Sequence, residues 1–170
     1  MRRSAVVAAV GIFLILTICP ALGGQALDVP GHVDRAIRLL LSPDRSDEQC
    51  TNGLVSLLDA IVQAAPAARL GGTWPAKVKA ARDSVAGDRL GDSVVLLTDS
   101  YRAVHGKPFK MPASIRSLTD ATDYIRGQLL SVRVLLDQGR ADEAVRRMLE
   151  AAVMIVTPLE VQAAVIPPAA

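Results

Sequence analysis

Between Pro112 and Gly139 seven apolar residues, Ile115, Leu118, Ala121, Ile125, Leu129, Val132 and Leu136, recur at steps of 3, 3, 4, 4, 3 and 4. Steps alternating between three and four keep side chains on one face of an α-helix. The spacing therefore predicts one amphipathic helix of about 24 residues, roughly 36 Å long. A stripe of that length is stable in water only when other elements cover it, so it constrains the rest of the chain. Pro112 stands ahead of the first turn, and Gly139 sits where a left-handed C-terminal cap belongs. Gly127 falls in the middle, at a cost of about 1 kcal/mol relative to alanine. The opposite face carries Arg116, Asp120, Asp123, Arg126, Arg133 and Asp137. Arg116 with Asp120 and Arg133 with Asp137 have the spacing of i,i+4 ion pairs on a solvated surface.

A second helix is expected directly after Gly139, with Asp142 and Glu143 in its first turn, where the helix dipole favours negative charge. Val145, Met148, Ala152, Ile155 and Leu159 form its stripe, Glu143 with Arg147 and Arg146 with Glu150 pair outside it, and Pro158 ends or bends it near Val156. A link of about three residues makes the two helices an antiparallel hairpin. Upstream, a short helix is expected from about His32 to Leu41, closed by Ser42-Pro43-Asp44. The polar stretch Arg45 to Gly53 leads into a helix reaching Ala65, and Pro66 with Gly71-Gly72 makes a loop. From Pro75 to His105 the pattern is helical, with a kink or short break where the stripe slips between Val85 and Leu90 beside Gly87 and Gly91. No convincing strand is present. The fold class is all-α: an antiparallel bundle of about four principal helices plus a short N-terminal helix. Residues 27–160 form a single helical domain, and 161–170, with Pro167-Pro168, read as a frayed tail.

The segment Gly139 to Ala152 resembles the second half of a tetratricopeptide repeat, on the small residues Gly139, Ala144 and Ala151. Gln128, Val132 and Leu135 do not match the first-helix positions and no copy lies 34 residues earlier, so a generic tight hairpin is the better reading.

Residues 1–26 read as a signal peptide: Arg2 and Arg3, an unbroken apolar run from Ala5 to Leu16, then Pro20 and small residues ending at Gly24 and Ala26. The expectation is an exported protein, periplasmic or extracellular. Membrane attachment follows only if this segment is retained as an anchor or Cys19 is lipidated. The 170-residue chain has 19 Lys+Arg and 17 Asp+Glu, and Arg2 and Arg3 account for the surplus, so the remainder is formally neutral. A neutral chain with few aromatics lacks the cationic surplus and stacking platforms of a nucleic-acid binder.

After cleavage Cys50 is the remaining cysteine, read as a small, partly buried residue, with an intermolecular disulfide as the sharper alternative. His105, before Gly106 at a helix end, is placed where a cation suits the dipole, and His32 reads as a surface residue. Asp44, Asp47 and Glu48 lack the ligand spacing of a calcium loop and fit helix capping instead. Asp120 and Asp123 fit a solvated charge network with Arg116 and Arg126, rather than an acid/base pair. No local motif specifies catalysis, a metal or a cofactor. The reading is a non-catalytic interaction or structural module, with a protein partner or self-association. A ligand or cofactor carrier, holding haem, metal or lipid inside the bundle, is the alternative. Trp74 and Phe109, large aromatics in connecting segments, are the candidate partner contacts, against a role as plugs closing the bundle.

Overall fold

The computed structural model describes residues 28–42 and 46–165, with side chains described through Thr157. Residues 1–27, with the expected signal peptide and Cys19, the residues Pro43 to Arg45 and those beyond Val165 lie outside the described residues. The described chain is all-α, with six helices: α1 (Val29–Leu40), α2 (Asp47–Ala64), α3 (Trp74–Ala86), α4 (Leu90–His105), α5 (Leu118–Asp137) and α6 (Ala141–Val165).

Three of the starts, those of α1, α2 and α5, are set by a side chain that satisfies the free N–H groups of the first turn. Asp28 accepts from the Gly31 amide at 3.1 Å to open α1. Ser46 and Gln49 form a reciprocal capping box on α2, so the polar run that reads as a lead-in is its first turns, with Asp47 and Glu48 at the positive end of the dipole. The long helix begins six residues after Pro112, later than its apolar spacing predicts. Ser117 caps it by accepting from Asp120 N at 3.1 Å, while the Asp120 carboxylate accepts from Arg116 N at 2.9 Å. That exchange fixes Arg116 and Ser117 outside the helix, and Leu118 is left 61% exposed.

The ends are also local. Gly139 adopts φ 70°, and the amides of Gly139 and Arg140 return to the carbonyls of Leu136 and Leu135, the 5→2 and 6→1 bonds of a Schellman motif. The expected break between α3 and α4 is the same device, with Asp88 rather than a glycine in the left-handed region at φ 59°. α6 continues past Pro158 to Val165, so of the two expected effects near Val156, an end or a bend, the end does not occur: a proline deletes one N–H, and the rungs on either side carry the helix on. Residues 161–165 of the expected tail thus share the helical backbone of α6.

Packing joins the helices in a closed ring, in the order α1, α2, α3, α4, α6, α5 and back to α1, with α2 and α6 also touching across it. α6 is therefore covered by α2, α4 and α5. Its residues Leu149, Ala151, Ala152, Val153, Met154 and Val156 are all buried, where the spacing gave only one stripe. α4 and α5 are consecutive but not neighbours; residues 106–117 connect them past α6.

None of the four expected i,i+4 side-chain ion pairs forms, and three of their arginines take other partners. Arg133 bonds Asp34 of α1, Arg147 donates to Gln128 Oε1 at 2.7 Å, Arg146 donates to the Val104 carbonyl, and Arg116 meets Asp120 through its backbone. A solvated i,i+4 pair contributes only about 0.2–0.5 kcal/mol, so a partly buried partner on another helix readily displaces it.

Candidate functional site

The densest gathering of titratable and aromatic groups lies where α4, α5 and α6 meet. His105 is in the last turn of α4, one turn beyond Tyr101, and their rings stack with centroids 4.0 Å apart. Phe109 lies edge-on to Tyr101 at 5.3 Å. The Nε2–H of His105 donates to the Arg146 carbonyl at 3.3 Å, while the Arg146 guanidinium donates to the Val104 carbonyl, a crosswise pair that ties α4 to α6. From α5, the Tyr124 hydroxyl donates to Glu150 Oε1 at 2.9 Å. Tyr124, Gln128, Glu143, Arg146, Arg147 and Glu150 line an open cleft of about 290 Å³.

Burial dominates the electrostatics. It raises Tyr101, with the Glu150 charge adding to the effect, and raises Tyr124, whose hydrogen bond to Glu150 holds the phenol protonated. Both phenols thus stay protonated, and Tyr124 is a donor. Burial lowers His105 below its usual value, so the imidazole is favoured in its neutral form, correcting the expected cation at a helix end. The sign follows: with the folded value depressed, the stability contributed by neutral His105 is full above the unfolded value and lost as pH falls through the folded one. The melting temperature of the native chain is therefore expected to fall more between pH 7 and pH 5 than that of His105→Gln. Parallel melting curves over that range would remove His105 as the cause.

A second cleft, of about 460 Å³, lies between the α2–α3 connection and the start of α6. Its polar groups are mutually satisfied: Arg69 N donates to Asp142 Oδ1 at 2.7 Å, and Arg140 holds Glu143.

The α4–α5 connection presents a different surface. Lys107, Lys110, Arg102 and Arg116 are exposed there, and none forms an ion pair among the described residues. Met111, 41% exposed, and Leu118 are exposed along the same stretch of chain, while the Phe109 ring packs on the core and anchors the segment.

The sequence candidates are thus redistributed. Trp74 is 1% exposed, the first residue of α3, with its Nε1 donating to the Leu70 carbonyl at 3.2 Å; it belongs to the core and not to a contact surface. Phe109 is half-buried and contributes to the surface by holding it. Cys50 is a free thiol at 9% exposure on α2. A disulfide needs Cβ atoms about 3.5–4.5 Å apart, so a second chain could reach it only if that end of α2 opened. His32 is not a plain surface residue: its ring bridges α1 to α2, with Nε2 3.0 Å from the Gln63 amide nitrogen and Nδ1 3.4 Å from Ser56 Oγ. Asp47 and Glu48 occupy the first turn of α2 as expected, and Asp44 lies outside the described residues. Asp123 pairs with Arg126 at 2.9 Å, while Asp120 serves the α5 cap. Met148 and Met154 are core residues. Among the described residues no three of His, Cys, Asp and Glu converge as a metal site would require, and no helix is long and apolar enough to cross a membrane. Comparison with models of protein families, with curated proteins and with solved structures finds no match to this chain.

Proposed function

We propose that this protein is a non-catalytic binding module, exported to the periplasm or the cell exterior, that holds an acidic protein surface on its α4–α5 connection. The observation that carries the reading is that Arg102, Lys107, Lys110 and Arg116 are exposed and make no side-chain ion pair among the described residues, along a stretch that also exposes Met111 and Leu118. Residues 27–170 are formally neutral as a whole, so this is a local charge excess, and exposed apolar side chains beside charge are a usual makeup of a protein contact. The polar groups where α4, α5 and α6 meet support the same role. Tyr124 donates to Glu150, His105 is committed to the Arg146 carbonyl and the Tyr101 ring stacks on His105, an arrangement suited to fixing the connection in place. Residues 1–26 supply the export part of the reading.

Photo-cross-linking in the native cell tests it. A photoreactive side chain at Met111 is expected to give an adduct with a distinct protein, and the same group at exposed Lys79 on α3 is not. Charge reversal by K107E and K110E should reduce the adduct several-fold. Equal labelling from both positions, or indifference to charge reversal, would overturn the proposal. N-terminal sequencing of the same product should begin at Leu27 or close to it; Met1 or a lipidated Cys19 would move the protein onto the membrane.

A further inference from the structure

We propose that the outer face of α5 is a homodimer interface on which α5 of a second copy packs antiparallel. This surface is separate from the α4–α5 connection, so the proposal stands or falls independently of the partner reading. At 100° per residue, Asp123, Arg126, Gly127, Leu130, Val134 and Asp137 all point within about 60° of the direction opposite the buried Val132. All six are exposed, Leu130 at 53% and Val134 at 54%. α1 and α6 cover other sides of the helix, through Arg133 with Asp34 and through Tyr124 with Glu150.

Three features of this stripe are unfavourable in the isolated chain and become useful against a second helix. Leu130 and Val134, one turn apart, leave two large aliphatic side chains in water. Gly127 weakens the helix although a Cβ there would meet nothing within 4 Å, so no neighbour in the monomer requires its small size. Small residues allow two helix backbones to approach closely. Asp137 puts a carboxylate at the negative end of the α5 dipole and has no ion pair among the described residues.

A two-fold axis addresses all three together. The register that sets Leu130 on Val134 of the second copy also brings Arg126 within one residue's rise, about 1.5 Å along the axis, of the second copy's Asp137. Both lie on the same flank of the stripe, so the two symmetry-related pairs form on one side of the apolar contact. The surface is self-complementary, as a closed two-fold interface requires. Parallel packing would set like ends together and lose both pairs, which selects the antiparallel arrangement.

A single pair of helices buries less than about 1,200 Å², so the dimer belongs to the weak, micromolar class. Sedimentation velocity of the exported product, run up to about 200 μM, is the test. The expected result is a reversible monomer–dimer equilibrium. R126D and D137R should each weaken it about tenfold or more by setting like charges together across the interface. The double variant R126D/D137R should restore it, because only the intermolecular pair is re-formed by the swap. Circular dichroism of each variant checks that α5 remains folded; if a charge reversal unfolds it, L130Q is the substitute and should also shift the equilibrium to monomer. A monomer at every concentration, or a dimer indifferent to L130Q and not rescued by the charge swap, would overturn the proposal.

Discussion

Replacing Trp74 by alanine is expected to lower the melting temperature by about 10 °C, because loss of a buried Trp costs about 3–5 kcal/mol and a chain of this size loses about 2–4 °C per kcal/mol. The indole is 1% exposed and lies in the same core cluster as Ala68, Val78 and Val85. Its Nε1–H to the Leu70 carbonyl also ties the loop before α3 to the first turn of that helix. Alanine removes both the packing and that tie, so the α2–α3 connection loosens as the core loses volume. Phe109→Ala removes a half-buried ring and should cost less. The comparison separates core from surface: thermal melts of the two variants should rank Trp74 well above Phe109, and a Trp74→Ala protein that melts like the parent would place the indole outside the core.

The second large effect is expected at Gly53. A methyl group there would stand 2.7 Å from Leu40 Cγ and 3.1 Å from Leu39 Cβ. The Leu40 side chain can turn away, but Leu39 Cβ is fixed to the α1 backbone, so α1 and α2 must separate. Overpacking of this kind costs about 1–3 kcal/mol, against a helix-propensity gain for Gly→Ala of about 0.5–1 kcal/mol. Gly53→Val adds further bulk at the same contact and should be clearly destabilising. Gly127→Ala is the control: with open space around it, it should stabilise the monomer by about 0.5–1 kcal/mol. Urea unfolding of the three variants at a concentration where the chain is monomeric checks the ordering. A Gly53→Val protein as stable as the parent would show that the α1–α2 contact is not set by this residue.

These two residues also show what a linear reading can and cannot recover. The stripe Ala121, Ile125, Leu129 and Val132 is buried as its spacing demands, because periodicity reports which side of a helix faces the core. Leu118 continues the same arithmetic and is exposed, since hydrophobic spacing takes no account of the Ser117 hydroxyl that decides where the helix begins. Gly53 looked like part of a polar approach to a helix, and its close contact is visible only once α1 lies against α2. The α4–α6 cluster was illegible for a related reason. Tyr124 and Glu150 are 26 positions apart, and His105 and Arg146 are 41 apart, so no local motif could announce them. The ion pairs that local spacing did announce were weak enough for tertiary partners to displace them. Trp74 and Phe109 were both conspicuous as aromatics, but which one the core would take depended on the position of α3 in the ring.

The position of α6 in that ring has a consequence for how the native state is reached. Helices α1 to α4 can associate as successive hairpins from contacts between near neighbours in the chain. The contacts that close the interior, from α6 to α2 and to α4, must wait until α6 is present. Until residues 144–156 arrive, α2, α4 and α5 present uncovered apolar faces, and the chain has no finished core. Assembly is therefore timed by α6: the hairpins formed before it share no interior until that helix is laid between them.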